Sequence, residues 1–106
     1  MSVVLLTGAT GFVGRAIHRY LERRGHDVRV TVRPGTASRL AVPTPQTAII
    51  ETDDIFARDA AWWAKACVGV DAVIHAAWFV EHGHYLNAPE NADCVQGSFA
   101  LAQGAV

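Results

Sequence analysis

The sequence lacks a surplus of charge of either sign. Nine Lys and Arg stand against ten Asp and Glu, for a formal net charge of −1. The basic residues form no continuous block, which argues against nucleic acid or an anionic membrane as partner. Cysteine is scarce as well. Cys67 and Cys94 are far apart and unpatterned, so no disulfide framework is expected, and two reduced thiols suit the cytoplasm. No apolar run approaches membrane length. The opening run Val3-Val4-Leu5-Leu6 is too short for a secretory signal and has no basic flank. There is no internal repeat and no low-complexity tract. What remains is a globular composition, with 51% hydrophobic residues and nine glycines in 106 residues, enough for one small domain with a core.

The residues present alternate between two periodicities. Residues 3–6 read as a strand buried on both faces, as in a parallel sheet. A helix is expected from Phe12 to Arg24, with Val13, Ala16, Ile17, Tyr20 and Leu21 on its apolar face, ended by Gly25. Val28 to Val32 alternates as a second strand, broken by Arg33-Pro34-Gly35. Thr36 to Leu40 suits one or two helical turns, and Thr47 to Glu51 a third strand. Asp59 to Cys67 predicts a short helix that buries part of the Trp62–Trp63 pair. Ala72 to His75 predicts a fourth strand. Glu90 to Val106 predicts a helix with a broad buried face through Cys94, Val95, Phe99, Leu101, Ala102 and Ala105.

Strand–helix alternation of this kind makes an α/β protein: a Rossmann-type, doubly wound parallel sheet in three αβα layers. In the strand order 3-2-1-4-5-6 the sheet would stop at its fourth strand and leave an edge open. The reading is therefore of residues 1–106 as the N-terminal part of a longer protein, cut off after the fourth helix. Otherwise the chain would rely on a homo-oligomer to cover the edge.

The chemistry-bearing stretch is Thr7-Gly8-Ala9-Thr10-Gly11-Phe12-Val13-Gly14, between the first strand and the first helix. At that place Gly8 lets the chain turn off the strand, Gly11 lets backbone approach phosphates, Gly14 lets the helix pack closely on the strand, and the helix N-terminus faces the anion. Where an NAD site usually carries an acid at the end of the second strand, this chain has Arg33. A guanidinium grips a ribose 2′-phosphate that a carboxylate would repel, so NADP is favoured over NAD. Arg39, and less readily Arg15, would assist. Asp53-Asp54-Ile55 follows the third strand. Either Asp54 accepts from the adenine amino group with Ile55 on the ring, or one of the acids caps the next helix. Small residues in His75-Ala76-Ala77-Trp78 either let a dinucleotide lie against the backbone or serve close packing. His82-Gly83-His84 has no further ligand at metal spacing and reads as a polar loop, in which Glu81, His82, His84 and Tyr85 could touch a substrate. Cys94 reads as an inert core thiol.

Together these motifs resemble the extended short-chain dehydrogenase/reductases, the NAD(P)-dependent epimerase/dehydratase family. Thr7–Gly14 resembles its TGxxGxxG, and Asp53-Asp54-Ile55 its Gly-Asp-Leu. Val70–Ala77 resembles GVDxVIHLAA, and Cys94–Ser98 resembles NVxGT. The resemblance implies Gly8, Thr10, Gly11, Phe12, Val13 and Gly14 around the pyrophosphate and Arg33 at the adenosine ribose. It implies Asp54 and Ile55 at adenine, and Ala76, Ala77 and Trp78 along the nicotinamide half. Cys94 departs from the usual Asn, and Trp78 from a small residue. The family's Tyr-x-x-x-Lys pair is missing: Tyr20 is followed at four by Arg24, and Tyr85 by Pro89. No catalytic residue is assigned. The function implied is the cofactor-binding part of an oxidoreductase acting on a nucleotide sugar or small carbonyl compound. The competing readings are a non-catalytic NADP-binding sensor or partner-binding module, and an inactive fragment.

Overall fold

A computed structural model describes residues 2–77 and 90–105. The elements are strand β1 (Val3–Thr7), helix α1 (Phe12–Arg23), strands β2 (Asp27–Val32) and β3 (Ile49–Glu51), helix α2 (Ala60–Ala66), strand β4 (Ala72–His75) and helix α3 (Glu90–Ala105). All strand pairs are parallel, in the order β3-β2-β1-β4. This is the expected order and a Rossmann-type α/β fold. The chain divides into two compact units. The first holds residues 1–53 and 69–77, and the second holds 54–68 and 78–106.

In the first unit β1 is central, and its Leu5 and Leu6 are both fully buried although they point to opposite faces of the sheet. Each such leucine contributes about 1.5–3 kcal/mol through the apolar surface it hides. Val4, Leu6, Val28, Val30 and Val32 form a core with Ala9 and Leu21, against which Ile17, Leu40, Ile49, Ile74 and Ala76 pack. α1 stops where Gly25 adopts φ +79°. The N–H of His26 then reaches the Leu21 carbonyl at 3.1 Å, and that of Gly25 the Glu22 carbonyl at 3.1 Å, closing the last turn.

The face of α1 differs from the expected one. Val13, Ala16 and Tyr20 are exposed, while Gly14, His18 and Leu21 are buried. The spacing 14, 18, 21 is one helical stripe, and Val13, Ala16 and Tyr20 lie off it. β3 is shorter than the expected 47–51, because Gln46–Ala48 forms a 3-10 turn whose last N–H bonds to the Pro45 carbonyl at 2.9 Å. The segment from Thr36 to Leu40 forms a single 3-10 turn, Ala37–Arg39, in place of an α-helix. The described residues therefore hold three α-helices.

In the second unit the Asp59 side chain caps α2, accepting from the Trp62 N–H at 2.9 Å. Trp63 is fully buried and meets Trp62 edge to face at 4.8 Å between ring centres. On α3 the buried residues are Cys94, Gly97 and Leu101, whereas Val95, Phe99, Ala102 and Ala105 are exposed, against the broad face expected. The reason is steric. A Cβ on Gly97 would overlap the Phe56 backbone, and one on Gly104 would lie 2.5 Å from the Ala60 carbonyl oxygen. α3 thus packs along a narrow stripe of small residues rather than along its larger apolar ones.

Candidate functional site

The turn from β1 to α1 is built by three glycines with three different constraints. Gly8 has φ +73°, and an added Cβ would stand 2.7 Å from the Ala77 nitrogen, so the turn and the end of β4 are in backbone contact. At Gly14 an added Cβ would overlap the Gly8 carbonyl. That contact lets the helix begin directly above the turn. Gly11 is unlike both. Its φ of −83° suits any residue, and among the described residues a Cβ there would meet only the Gly8 oxygen at 3.4 Å, while its N–H donates to that oxygen at 3.0 Å. Neither its backbone angles nor its described neighbours demand glycine at this position.

Gly11 is the N-cap of α1 and offers no side chain to the first-turn N–H groups, and that turn contains no acidic residue. Among the described residues the positive end of the helix has no side-chain cap, in contrast to α2 with Asp59. An anion beside Gly11 would meet free N–H groups and a favourable field. Thr10 is half-buried in this turn, and Phe12 and Val13 are exposed on the first helical residues.

Beneath the turn lies a hydrogen-bonded link absent from the sequence reading. The fully buried Thr7 hydroxyl accepts from the Ala77 N–H at 3.2 Å and stands 2.6 Å from His75 Nδ1. Burial lowers the His75 pKa from 6.5, which fits a neutral ring. The parallel register that sets Thr7 opposite His75 creates this link, and sequence spacing across 68 residues carries no sign of it.

Arg33 leaves β2 at the same sheet end as the turn, since Leu6 pairs with Val30, and its side chain is exposed. Its carbonyl accepts from the Thr36 N–H at 3.1 Å and the Thr36 hydroxyl at 2.7 Å. Arg15, on the first turn of α1, donates from its guanidinium to the Arg39 carbonyl. Ala76 and Ala77 sit at the end of β4, against Gly8. These residues all belong to the first unit. Asp54 and Ile55 belong to the second, where Asp54 caps a 3-10 turn by accepting from the Phe56 N–H at 2.9 Å. The capping alternative is thus realised with one carboxylate oxygen. Trp78 and the segment Glu81–Tyr85, with His82 and His84, lie outside the described residues. Among the described residues no cluster of three His, Cys, Asp or Glu could hold a metal ion, and no helix is long and apolar enough to cross a membrane.

A parallel sheet ordered 3-2-1-4, with a glycine turn leading from its central strand into an uncapped helix, defines a Rossmann-type α/β protein. The chain belongs to the NAD dependent epimerase/dehydratase family, whose model matches residues 4–103. Among solved structures, that of gox2253 is 34% identical with a TM-score of 0.73, over 99% of this chain and 31% of that one. A UDP-glucose-4-epimerase from Stenotrophomonas maltophila, with bound NAD and formylated UDP-arabinopyranose, is 25% identical with a TM-score of 0.71, over 99% of this chain and 34% of that one. A shorter match is to the chloroplastic divinyl chlorophyllide a 8-vinyl-reductase of Oryza sativa subsp. indica, 50% identical over 38 residues, which are 36% of this chain and 9% of that protein. The chain spans about a third of the length of the two solved structures.

Proposed function

We propose that residues 1–106 are the dinucleotide-binding part of an NAD(P)-dependent oxidoreductase of the epimerase/dehydratase type, with NADP favoured over NAD. The observation that carries this reading is Gly11. It is a glycine that neither its backbone angles nor its neighbours require, standing at an uncapped helix N-terminus. The residues fit a pyrophosphate there: Gly8 and Gly14 shape the turn, while Thr10, Gly11, Phe12 and Val13 face the anion with backbone. Ala76 and Ala77 would lie along the nicotinamide half, and the Arg33 guanidinium would meet a ribose 2′-phosphate. The adenine role of Asp54 and Ile55 and the nicotinamide-side role of Trp78 rest on the sequence pattern alone.

When bound, the nicotinamide would supply hydride transfer. The residues of this chain bind and orient it, and proton transfer is assigned to none of them, since neither tyrosine is followed at four by lysine. A nucleotide sugar or a small carbonyl compound is the proposed substrate class. The epimerase neighbour, with its bound UDP-sugar derivative, supports the first alternative.

Calorimetric titration tests the reading. NADPH is expected to bind at least about tenfold more tightly than NADH, the worth of one charge-assisted bond. Arg33→Asp is expected to abolish or reverse that preference. Equal affinities in the unaltered protein would remove the role of Arg33, and binding of neither nucleotide would remove the proposed function.

A further inference from the structure

The loop that follows β2 is tied down at three points. At its start the Arg33 carbonyl is held twice by Thr36, and at its end Leu40 packs on the core. Between them the Arg15 side chain donates to the Arg39 carbonyl. Arg15 is part-buried, unlike the exposed Arg19 and Arg23 of the same helix. Its own N–H bonds to the Gly11 carbonyl at 2.8 Å, so this guanidinium hangs from the first turn above the glycine turn.

We propose that Arg15 is a positioning residue for dinucleotide selection, which holds the 33–40 loop so that the Arg33 and Arg39 guanidinium groups meet a phosphomonoester on the ribose 2′ position. This rests on the NADP reading of the same site. Two physical points carry it. A flexible loop must be ordered before its arginines can grip a phosphate, and the side-chain and backbone entropy of that ordering subtracts from affinity. The Arg15 bond makes that payment in the free protein. Its acceptor is also a neutral carbonyl, so the bond itself leaves the positive charge of the guanidinium in place. Arg33 and the exposed Arg39 supply two positive charges against the roughly −1.5 to −2 of a phosphomonoester, and Arg15 adds to the same field. Because Arg15 stands on the helix that begins at the glycine turn, one side chain links the order of the pyrophosphate turn to that of the ribose loop.

The experiment compares full-length protein with Arg15→Met, which keeps a long apolar stem without the donor, and with Arg15→Lys, which restores a cation. Arg19→Met is the control. Probes are 2′,5′-ADP and 5′-ADP by calorimetry, with amide hydrogen exchange at Arg39 and Leu40, whose N–H groups bond within the loop at 2.9 and 3.2 Å. Arg15→Met is expected to speed exchange at both amides and to weaken 2′,5′-ADP about tenfold while 5′-ADP changes less than about twofold. Arg15→Lys should recover part of both effects, and Arg19→Met should show neither. Unchanged exchange in Arg15→Met, or equal weakening of both nucleotides, would overturn the role. A 2′,5′-ADP preference that survives Arg15→Met overturns the role alone. Equal binding of the two nucleotides by the unaltered protein overturns the NADP reading with it.

Discussion

Gly11 and Gly14 stand three residues apart in one turn, yet a methyl group added at each meets different surroundings. At Gly14 it would overlap a backbone carbonyl that belongs to the turn itself and has nowhere to move. Gly14→Ala is therefore expected to cost about 3 kcal/mol or more, at the upper end of overpacking effects, and to lower the urea midpoint. At Gly11 the methyl finds ordinary contact distance and acceptable backbone angles, so Gly11→Ala should change stability by less than about 1 kcal/mol. The same methyl would stand where the proposed pyrophosphate approaches, and NADPH affinity should fall about tenfold or more. Urea unfolding and calorimetry on the two variants separate the roles. Equal loss of stability in both would contradict the assignment. The division of roles was legible in the sequence at this scale, with Gly8 for the turn, Gly11 for a phosphate's approach and Gly14 for close packing of the helix, but what Gly14 packs against was not, because that depends on where Gly8's carbonyl points.

On the scale of elements, α3 carries the most instructive mismatch. Its larger apolar residues suggested a face through Val95, Phe99 and Ala102, while the packed stripe is Cys94, Gly97, Leu101 and Gly104. The 3-4-3 spacing of those positions was present in the sequence. It escapes a reading that weighs residues by hydrophobicity, since glycine contributes by permitting approach rather than by burying area. Gly97→Ala tests this. Helix propensity alone predicts a gain of about 1 kcal/mol from replacing a mid-helix glycine. The overlap with Phe56 predicts the reverse, a net loss of about 1–3 kcal/mol. Chemical denaturation decides by sign. The glycine stop of α1 and the four strands were legible, for these depend on residues adjacent in sequence. His18 was not, because a polar residue is buried only when its stripe faces a core that other elements supply.

For the whole molecule, buried histidines couple stability to pH. His18 is fully buried, with Nε2 3.3 Å from the Thr44 hydroxyl and Nδ1 without a partner among the described residues. Burial lowers its pKa from 6.5, opposed by the smaller pull of Glu22, and burial lowers that of His75 also. For a depressed histidine the unfolded chain takes up a proton first. The stability is thus fully present above about pH 6.5, falls as pH drops through that value, and levels once the folded state is protonated too. The slope is bounded at about 1.4 kcal/mol per pH unit for each histidine. Urea midpoints between pH 7.5 and 5 are expected to fall, and His18→Gln should flatten the dependence while leaving the His75 share. An unchanged slope in that variant would exclude His18 as a source.

Sequence by itself determined the class of fold, the strand order, the place of the glycine turn and the family, because periodicity and short motifs are local and parallel crossovers have one favoured hand. Only tertiary structure decided what faces what. The pairing of β1 with β4 brought Thr7 to His75 and Ala77, the fold of the loop brought the Arg39 carbonyl to Arg15, and close approach at Gly97 and Gly104 set the packing stripe of α3 away from Val95 and Phe99. Each is a contact between residues distant along the chain or a shape formed by several of them. Such contacts exist only once the sheet and helices have closed on one another.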